Sequence, residues 1–245
     1  MSARVAGGRG PVASAVAAAV DWLIEPAEPA VPERLGVPVV ERLEERPVVA
    51  VVGLRARCGA TTVARALAAE MGARDPGGVA AVTAARSAGG GIPLGLPAAG
   101  RLARTLAPVS GGTSRACGRL CLVPDADRAR LADATRYLAP LVFDVDDPAE
   151  APAAASLAGA VVVVGTPEVE PSLAAVVAES LAHGGPEPVV ALNRTAPDGN
   201  GWGDVVSVEL PEARMAAHFA LAGREPRGEF GRAVADLADR CGRCR

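Results

Sequence analysis

Short valine-rich apolar runs recur along the chain, and between them apolar residues return every three or four positions. The runs are Pro47–Gly53, Gly78–Ala84, Arg119–Val123, Leu141–Asp146, Gly159–Gly165, Pro188–Asn193 and Asp204–Val208. Each is largely apolar instead of alternating, the pattern of strands buried on both faces of a parallel sheet. The intervening segments read as crossover helices. Thr61–Met71 puts Val63, Leu67 and Met71 four apart on one face, and Asp125–Leu138 opens with acidic residues that suit a helix N-terminus. Pro171–His183 and Pro211–Leu221 each begin with proline, whose missing N–H costs nothing in a first turn. Gly228–Cys241 closes the chain as a last helix. The expected fold is α/β: a three-layer sandwich around a mostly parallel sheet of about seven strands.

Two segments break this alternation. Residues 1–46 hold an alanine-rich helix candidate followed by a proline- and glutamate-rich connector, EPAEPAVPERLGVP. They are expected to form an N-terminal arm ahead of one domain spanning 47–245. The stretch Ser87–Gly112, rich in Gly, Ala and Pro, is expected to be a long loop with one short helix near Gly100–Leu106.

Composition changes the picture in three ways. Half of the 245 residues are hydrophobic but only 2% are aromatic, so Ala, Val and Leu must build the core. The net charge of −3 gives no general attraction to nucleic acid or an anionic membrane. All 25 basic residues are arginine, which removes the lysine ammonium from any mechanism. No run approaches the roughly 20 apolar residues a membrane helix needs. Pro11–Ile24, preceded by Arg4 and Arg9, has the outline of an export leader, but the α/β pattern downstream points to the cytoplasm.

Five cysteines, an odd number, do not describe a disulfide framework. Cys241 and Cys244 form a CxxC pair that, with Cys117 and Cys121, would supply four thiolates for zinc. Cys121 sits in an expected buried strand, where cysteine behaves as a small hydrophobe, and the terminal thiols are expected to be exposed. His183 and His218 lack a neighbouring ligand cluster and read as structural or surface residues.

The candidate chemistry lies after the first strand. Val48–Val52 runs into Gly53-Leu54-Arg55-Ala56-Arg57-Cys58-Gly59-Ala60-Thr61-Thr62 and then into a helix. A strand, a tight loop and a helix N-terminus make an anion site, because the first-turn amides have no partner within the helix and the dipole favours negative charge. A Walker loop, GxxxxGK[ST], adds a lysine for the β/γ phosphates and a hydroxyl for Mg2+.

In this loop the chain resembles the MinD/ParA group of P-loop ATPases. Aligned with the group's GxKGGVGKTT pattern, Arg55 falls on its signature lysine, Ala60 on the Walker lysine and Thr61 on the magnesium hydroxyl. The tail GATTVARALA looks most like the deviant loops of the CpaE/TadZ branch, which helps place or assemble pilus and secretion machines. Further matches follow in order. Leu141–Pro148 (LVFDVDDP) resembles the Walker B strand, with Asp144 or Asp146 as its acid. Thr166-Pro167-Glu168 resembles a T-x-PE segment, and Asn193-Arg194 the segment whose asparagine contacts adenine.

The departures fall inside the same loop. The group's middle glycines, which permit φ > 0 and close approach to phosphate, are Ala56 and Arg57 here. The group's second strand ends in an aspartate pair, whereas Val82–Arg86 carries no carboxylate. Three functions stay open at this level: a pseudo-ATPase regulator, a weakly active partitioning or division ATPase, and a scaffold that binds no nucleotide. The resemblance implies ATP or ADP with Mg2+, a homodimer with nucleotide at its interface, and a protein partner in a positioning, pilus or secretion system. It places nucleotide on Gly53, Arg55, Arg57, Gly59, Ala60, Thr61, Thr62, Asn193 and Arg194, with Mg2+ on Thr61 and on Asp144 or Asp146.

Overall fold

The computed structural model describes residues 44–84, 95–124, 126–145, 147–196 and 202–243. Residues 1–43 of the expected arm, the beginning of the long loop (87–94), Asp125, Asp146 and Cys244 lie outside these residues. The first described strand, β1 (Val48–Gly53), is buried along its four central residues and occupies the middle of an eight-stranded sheet. It is followed by α1 (Ala60–Arg74), β2 (Ala80–Ala84), α2 (Pro97–Leu106), β3 (Arg115–Cys117), β4 (Leu120–Pro124), α3 (Arg128–Thr135) and β5 (Leu141–Val145). The remainder runs α4 (Ala151–Leu157), β6 (Ala160–Gly165), α5 (Pro171–Ala182), β7 (Val189–Thr195), β8 (Val208–Pro211), α6 (Arg214–Leu221) and α7 (Gly228–Arg243).

The strand order is β3-β4-β2-β5-β1-β6-β7-β8, and every pairing is parallel except the β3–β4 hairpin. From β1 the chain steps outward through β2 to β4, returns to β5 beside β1, and then builds β6 to β8 on the other side. The strand order therefore reverses at β1, which opens a crevice at the C-terminal ends of β1, β5 and β6.

Helices cover both faces. One core holds α1, α6 and α7 against Val49, Val51, Val142, Val162 and Val164. The other holds α2, α3 and α4 against Ala50, Val52, Leu141, Phe143 and Val163. Successive strand residues alternate between these cores, so fully apolar strands are required. Alanine fills much of α1, with Ala64, Ala66, Ala68 and Ala69 fully buried, which lets α1 sit close to the sheet without large side chains. Among the described residues no helix is long and apolar enough to cross a membrane.

Four expectations are corrected. The last strand lies at Val208–Pro211, after a 3-10 turn at Gly203–Val205, and not at Asp204–Val208. Pro211 therefore ends an edge strand, where its missing N–H is harmless, and α6 starts only at Arg214. The helix in the long loop begins at Pro97, with proline in its first turn. The third helix begins at Arg128, where Asp127 caps the amides of Ala129 and Arg130 at 3.0 and 3.3 Å. Strand β3 and helix α4 were not expected: β3 has only three residues, and α4 is an alanine-rich segment without a strong periodic face.

The turn of the β3–β4 hairpin docks on the C-terminal end of α6. Arg119 N–H donates to the Gly223 carbonyl at 2.8 Å. Gly223 has φ 68°, and a β-carbon there would lie 1.9 Å from the Cys117 carbonyl oxygen. Gly223→Ala is expected to cost about 3 kcal/mol in urea unfolding. Gly111→Ala, at φ 59° in open space, is expected to cost only the left-handed penalty of about 1–2 kcal/mol. Equal losses would mean that the hairpin does not pack there.

Candidate functional site

At the C-terminal end of β1 the chain leaves the sheet at Gly53 and enters α1 seven residues later, through a loop that folds back over the strand. The Cys58 amide donates to the Arg55 carbonyl at 3.3 Å, closing a turn, and Leu54 N–H donates to Val164 of β6 at 2.9 Å. Leu54 also packs near Trp202 in a small apolar cluster behind the loop, an anchor no motif indicated. Arg57 has φ 62° and Gly59 φ 88°, so the backbone turns twice through the left-handed region. Arg57 takes up this geometry where the family pattern has glycine, at a cost of about 1–2 kcal/mol.

Gly59 is the N-cap of α1. No side chain caps the helix there, and its first turn carries no acidic residue. Its leading amides therefore have no side-chain acceptor at the cap.

Strand β7 holds the loop in place. The buried Asn193 donates through Nδ2 to the Cys58 carbonyl at 2.8 Å. The next residue, Arg194, donates through Nη2 to the Arg57 carbonyl at 3.1 Å. Arg194 lies in an irregularity of the β7–β8 ladder between Asn193 and Thr195, and it too has φ 62°. The contact between Asn193 and Gly59 is close: a β-carbon on Gly59 would lie 2.3 Å from Nδ2. Glycine is required at this cap by space as well as by φ.

Two cavities meet at the loop. One, of about 520 Å³, is lined by Gly53, Arg55, Arg57, Gly59, Ala60 and Thr61, with Val145 and Pro148 from the β5 end and Arg194 from β7. The other, of about 260 Å³, is lined by Gly59, Thr62, Asn193 and Arg194, by Pro211, Ala213, Ala217 and Phe230, and by the charged Glu212 and Arg214. The two threonines thus face different spaces, Thr61 the loop cavity and Thr62 the smaller one. Gly59 and Arg194 border both. The arrangement sets guanidiniums and the start of α1 on one side, and a mixed apolar and charged wall with the Asn193 amide on the other.

The acidic candidates are less directly placed. Asp144 is 5% exposed and lies one residue below the cavity wall formed by Val145. Its amide donates to Thr83 Oγ1 at 2.8 Å, which ties β2 to β5 at their C-terminal ends. Alternation with Val142 directs Asp144 to the α1 side, where its charge attracts Arg65. Burial pushes the Arg65 guanidinium below its usual pKa, with Cys117 and Asp144 partly opposing that shift. Arg65 Nη1 also donates to the Leu221 carbonyl at 3.1 Å. At the rim, exposed Glu168 is held below the usual carboxylate range, first by the Thr166 hydroxyl and its own backbone, and also by Arg55 and Arg194.

The described cysteines do not assemble a metal site. Among the described residues no cluster of three or more His, Cys, Asp or Glu could hold an ion. Burial pushes the Cys121 thiol up to about 12. Cys241 is buried against α1, not exposed as expected.

The architecture is that of the ParA and MinD P-loop ATPases. Among solved structures, the chain is similar to a ParA family ATPase from Chlorobium tepidum TLS, with 15% identity and a TM-score of 0.55 over 79% of this chain and 97% of that one. It is likewise similar to the MinD cell division protein of Aquifex aeolicus, at 18% identity and TM-score 0.52, covering 79% and 96%. A plasmid partition protein of Borrelia burgdorferi B31, determined bound to AMPPNP, aligns at 11% identity and TM-score 0.50, covering 81% and 98%. No protein-family model matches the chain, and no curated protein matches it. At these identities the likeness is one of fold.

The β7 clamp has a direct test. Gly59→Ala is expected to displace the Asn193 amide and lower stability by about 2 kcal/mol, roughly a 4–8 °C drop in Tm. An unchanged melting curve would show that Asn193 is not held against the loop.

Proposed function

We propose that this chain is a nucleotide-binding regulator of ParA/MinD architecture whose own hydrolysis is absent or very slow. The observation that carries this reading is the uncapped N-terminus of α1 beneath a loop that keeps two left-handed residues, although one of them is an arginine. Such strain persists where the surroundings hold it, and it gathers at ligand sites. Here the loop wraps a cavity bordered by Gly53, Arg55, Arg57, Gly59, Ala60 and Thr61.

In this reading the nucleotide's phosphates lie on the amides from Gly59 to Thr62, beside Arg55 and Arg57, while the Cys58 amide stays bonded to the Arg55 carbonyl. The base occupies the cavity of Pro211, Ala213 and Phe230, with the Asn193 amide at its edge. Thr61 offers the hydroxyl that suits a phosphate-bound Mg2+, and Asp144 or Asp146 is the acid for its water shell. When bound, the nucleotide with Mg2+ supplies a charge centre that draws these elements together.

Hydrolysis needs more than the chain provides. Groups that stabilise transferring phosphoryl charge supply roughly 10³–10⁵ in rate. Ala60 stands where the family lysine would act, and Thr83 and Ala84 end β2 without a carboxylate. The closer likeness of the loop tail to the CpaE/TadZ branch supports a regulatory or localising role in a pilus or secretion system. A cytoplasmic homodimer and a protein partner in that system belong to the same reading and rest on the motif resemblance.

Calorimetric titration of the purified chain with ATP and with ADP, with and without Mg2+, tests it. Saturable binding is expected, at least tenfold weaker in Thr61→Ala/Asn193→Ala, with turnover near the uncatalysed background. Absence of binding at millimolar nucleotide would sink the proposal, as would rapid hydrolysis.

A further inference from the structure

The loop has lost its lysine, and no other lysine exists in the chain to replace it. Arg55 and Arg57 are the obvious substitutes by position, but both belong to the loop itself and border only the larger cavity. Like Arg194 of β7, both are exposed. Arg194 differs in three respects. It comes from the end of a sheet strand, its guanidinium is anchored on the loop by the bond to the Arg57 carbonyl, and it lines both cavities.

Its backbone adds a separate indication. At φ 62° in a break of the β7–β8 ladder, glycine or asparagine would sit with less strain than arginine. What arginine adds at this point is the reach and charge of its side chain. Its charge also reaches Glu168, whose carboxyl is held below the usual range chiefly by the Thr166 hydroxyl and further by Arg55 and Arg194. A guanidinium carries several N–H donors in a rigid fork. The Arg57 carbonyl takes one of them and leaves others able to meet oxygens in the cavity.

We propose that Arg194 is the phosphate-binding cation of this site, supplied from β7 across the loop in place of the lysine missing at position 60. The ligand class is a nucleoside di- or triphosphate, and the inference rests on the nucleotide reading above. The Arg57 carbonyl holds the guanidinium by one N–H. A polyphosphate receives the remaining donors, so Arg194 sets the preference for phosphate number, whereas Asn193 beside it bears on the base. The loop bond then has a second use: it fixes the fork over the cavity before ligand arrives, which reduces the ordering cost on binding.

The test compares ATP and AMP binding by calorimetry in the full chain, in Arg194→Gln, in Arg194→Lys, and in Arg194→Gly, which accepts φ 62° without strain. Arg194→Gln and Arg194→Gly are expected to weaken ATP by about ten- to a hundredfold, the range for loss of a charge-assisted hydrogen bond. AMP is expected to change less than threefold, and the salt dependence of ATP binding to become shallower. Arg194→Lys should recover part of the ATP preference. Equal weakening of ATP and AMP would overturn the proposal and make Arg194 a loop-positioning residue, and so would unchanged ATP affinity in both neutral variants. If the unmodified chain binds ATP, either failure leaves the nucleotide reading standing. If it binds none, the nucleotide reading fails and takes this inference with it.

Discussion

Two hydrogen bonds from β7 set the shape of the loop on which the site depends. Asn193 and Arg194 are adjacent, and each holds one carbonyl of the turn, Cys58 and Arg57. A loop built as Gly-Leu-Arg-Ala-Arg-Cys-Gly has less intrinsic freedom for left-handed turns than one with glycines at its centre. Unsupported, Arg57 would relax toward negative φ and turn its amide away. The bond from Arg194 holds the Arg57 carbonyl, and the tight approach of Asn193 to Gly59 fixes the next corner. The loop's concavity is thus a tertiary property, imposed by a strand more than 130 residues later in the chain.

That dependence runs through the sheet. Strand β7 can reach the loop only because β6 lies between it and β1, with Gly53 level with Val164 and Val164 level with Ala191. The register is held by full burial of these strands on both faces, where a slip would strand polar groups or open cavities. On the α1 side, the helix whose N-terminus borders the candidate site is pinned at its other end. Arg74 pairs with Glu70 at 2.8 Å and reaches Asp239 and the Ala235 carbonyl of α7. Exposed pairs of this kind are individually weak, but they lie on a helix already seated by its alanine face.

The central strands were readable because both-face burial leaves an apolar run that no surface element imitates. Val48–Gly53, Leu141–Val145 and Ala160–Gly165 fall within a residue or two of expectation. The edges were less legible for the same reason. Strand β8 is only half-buried in its pattern, so Asp204–Val208 looked the better strand, and β3 is too short to leave a periodic signal. Within the site, the loop, Thr61 and the Asn193-Arg194 pair were visible as motifs. The hydrogen bonds that join them were not, because they link residues distant in sequence through backbone carbonyls. Trp202 and Leu54 behind the loop left no trace in any motif.

Loss of a catalytic lysine removes the main reason to keep a phosphate loop, so the expected course is relaxation of its strained geometry. The structure shows the opposite pairing of losses and retentions. Position 60 is alanine, yet the cap at Gly59 is still free of side-chain competition. Glycine is gone at position 57, yet the backbone keeps the left-handed turn, and a second left-handed arginine supports it. Each left-handed arginine costs about 1–2 kcal/mol, a sizeable share of a domain stability of about 5–15 kcal/mol. A scaffold that kept only the fold would gain by relieving both strains. Keeping them places two guanidiniums, those of Arg57 and Arg194, on the wall of the loop cavity, which is what a site for an anion would gain.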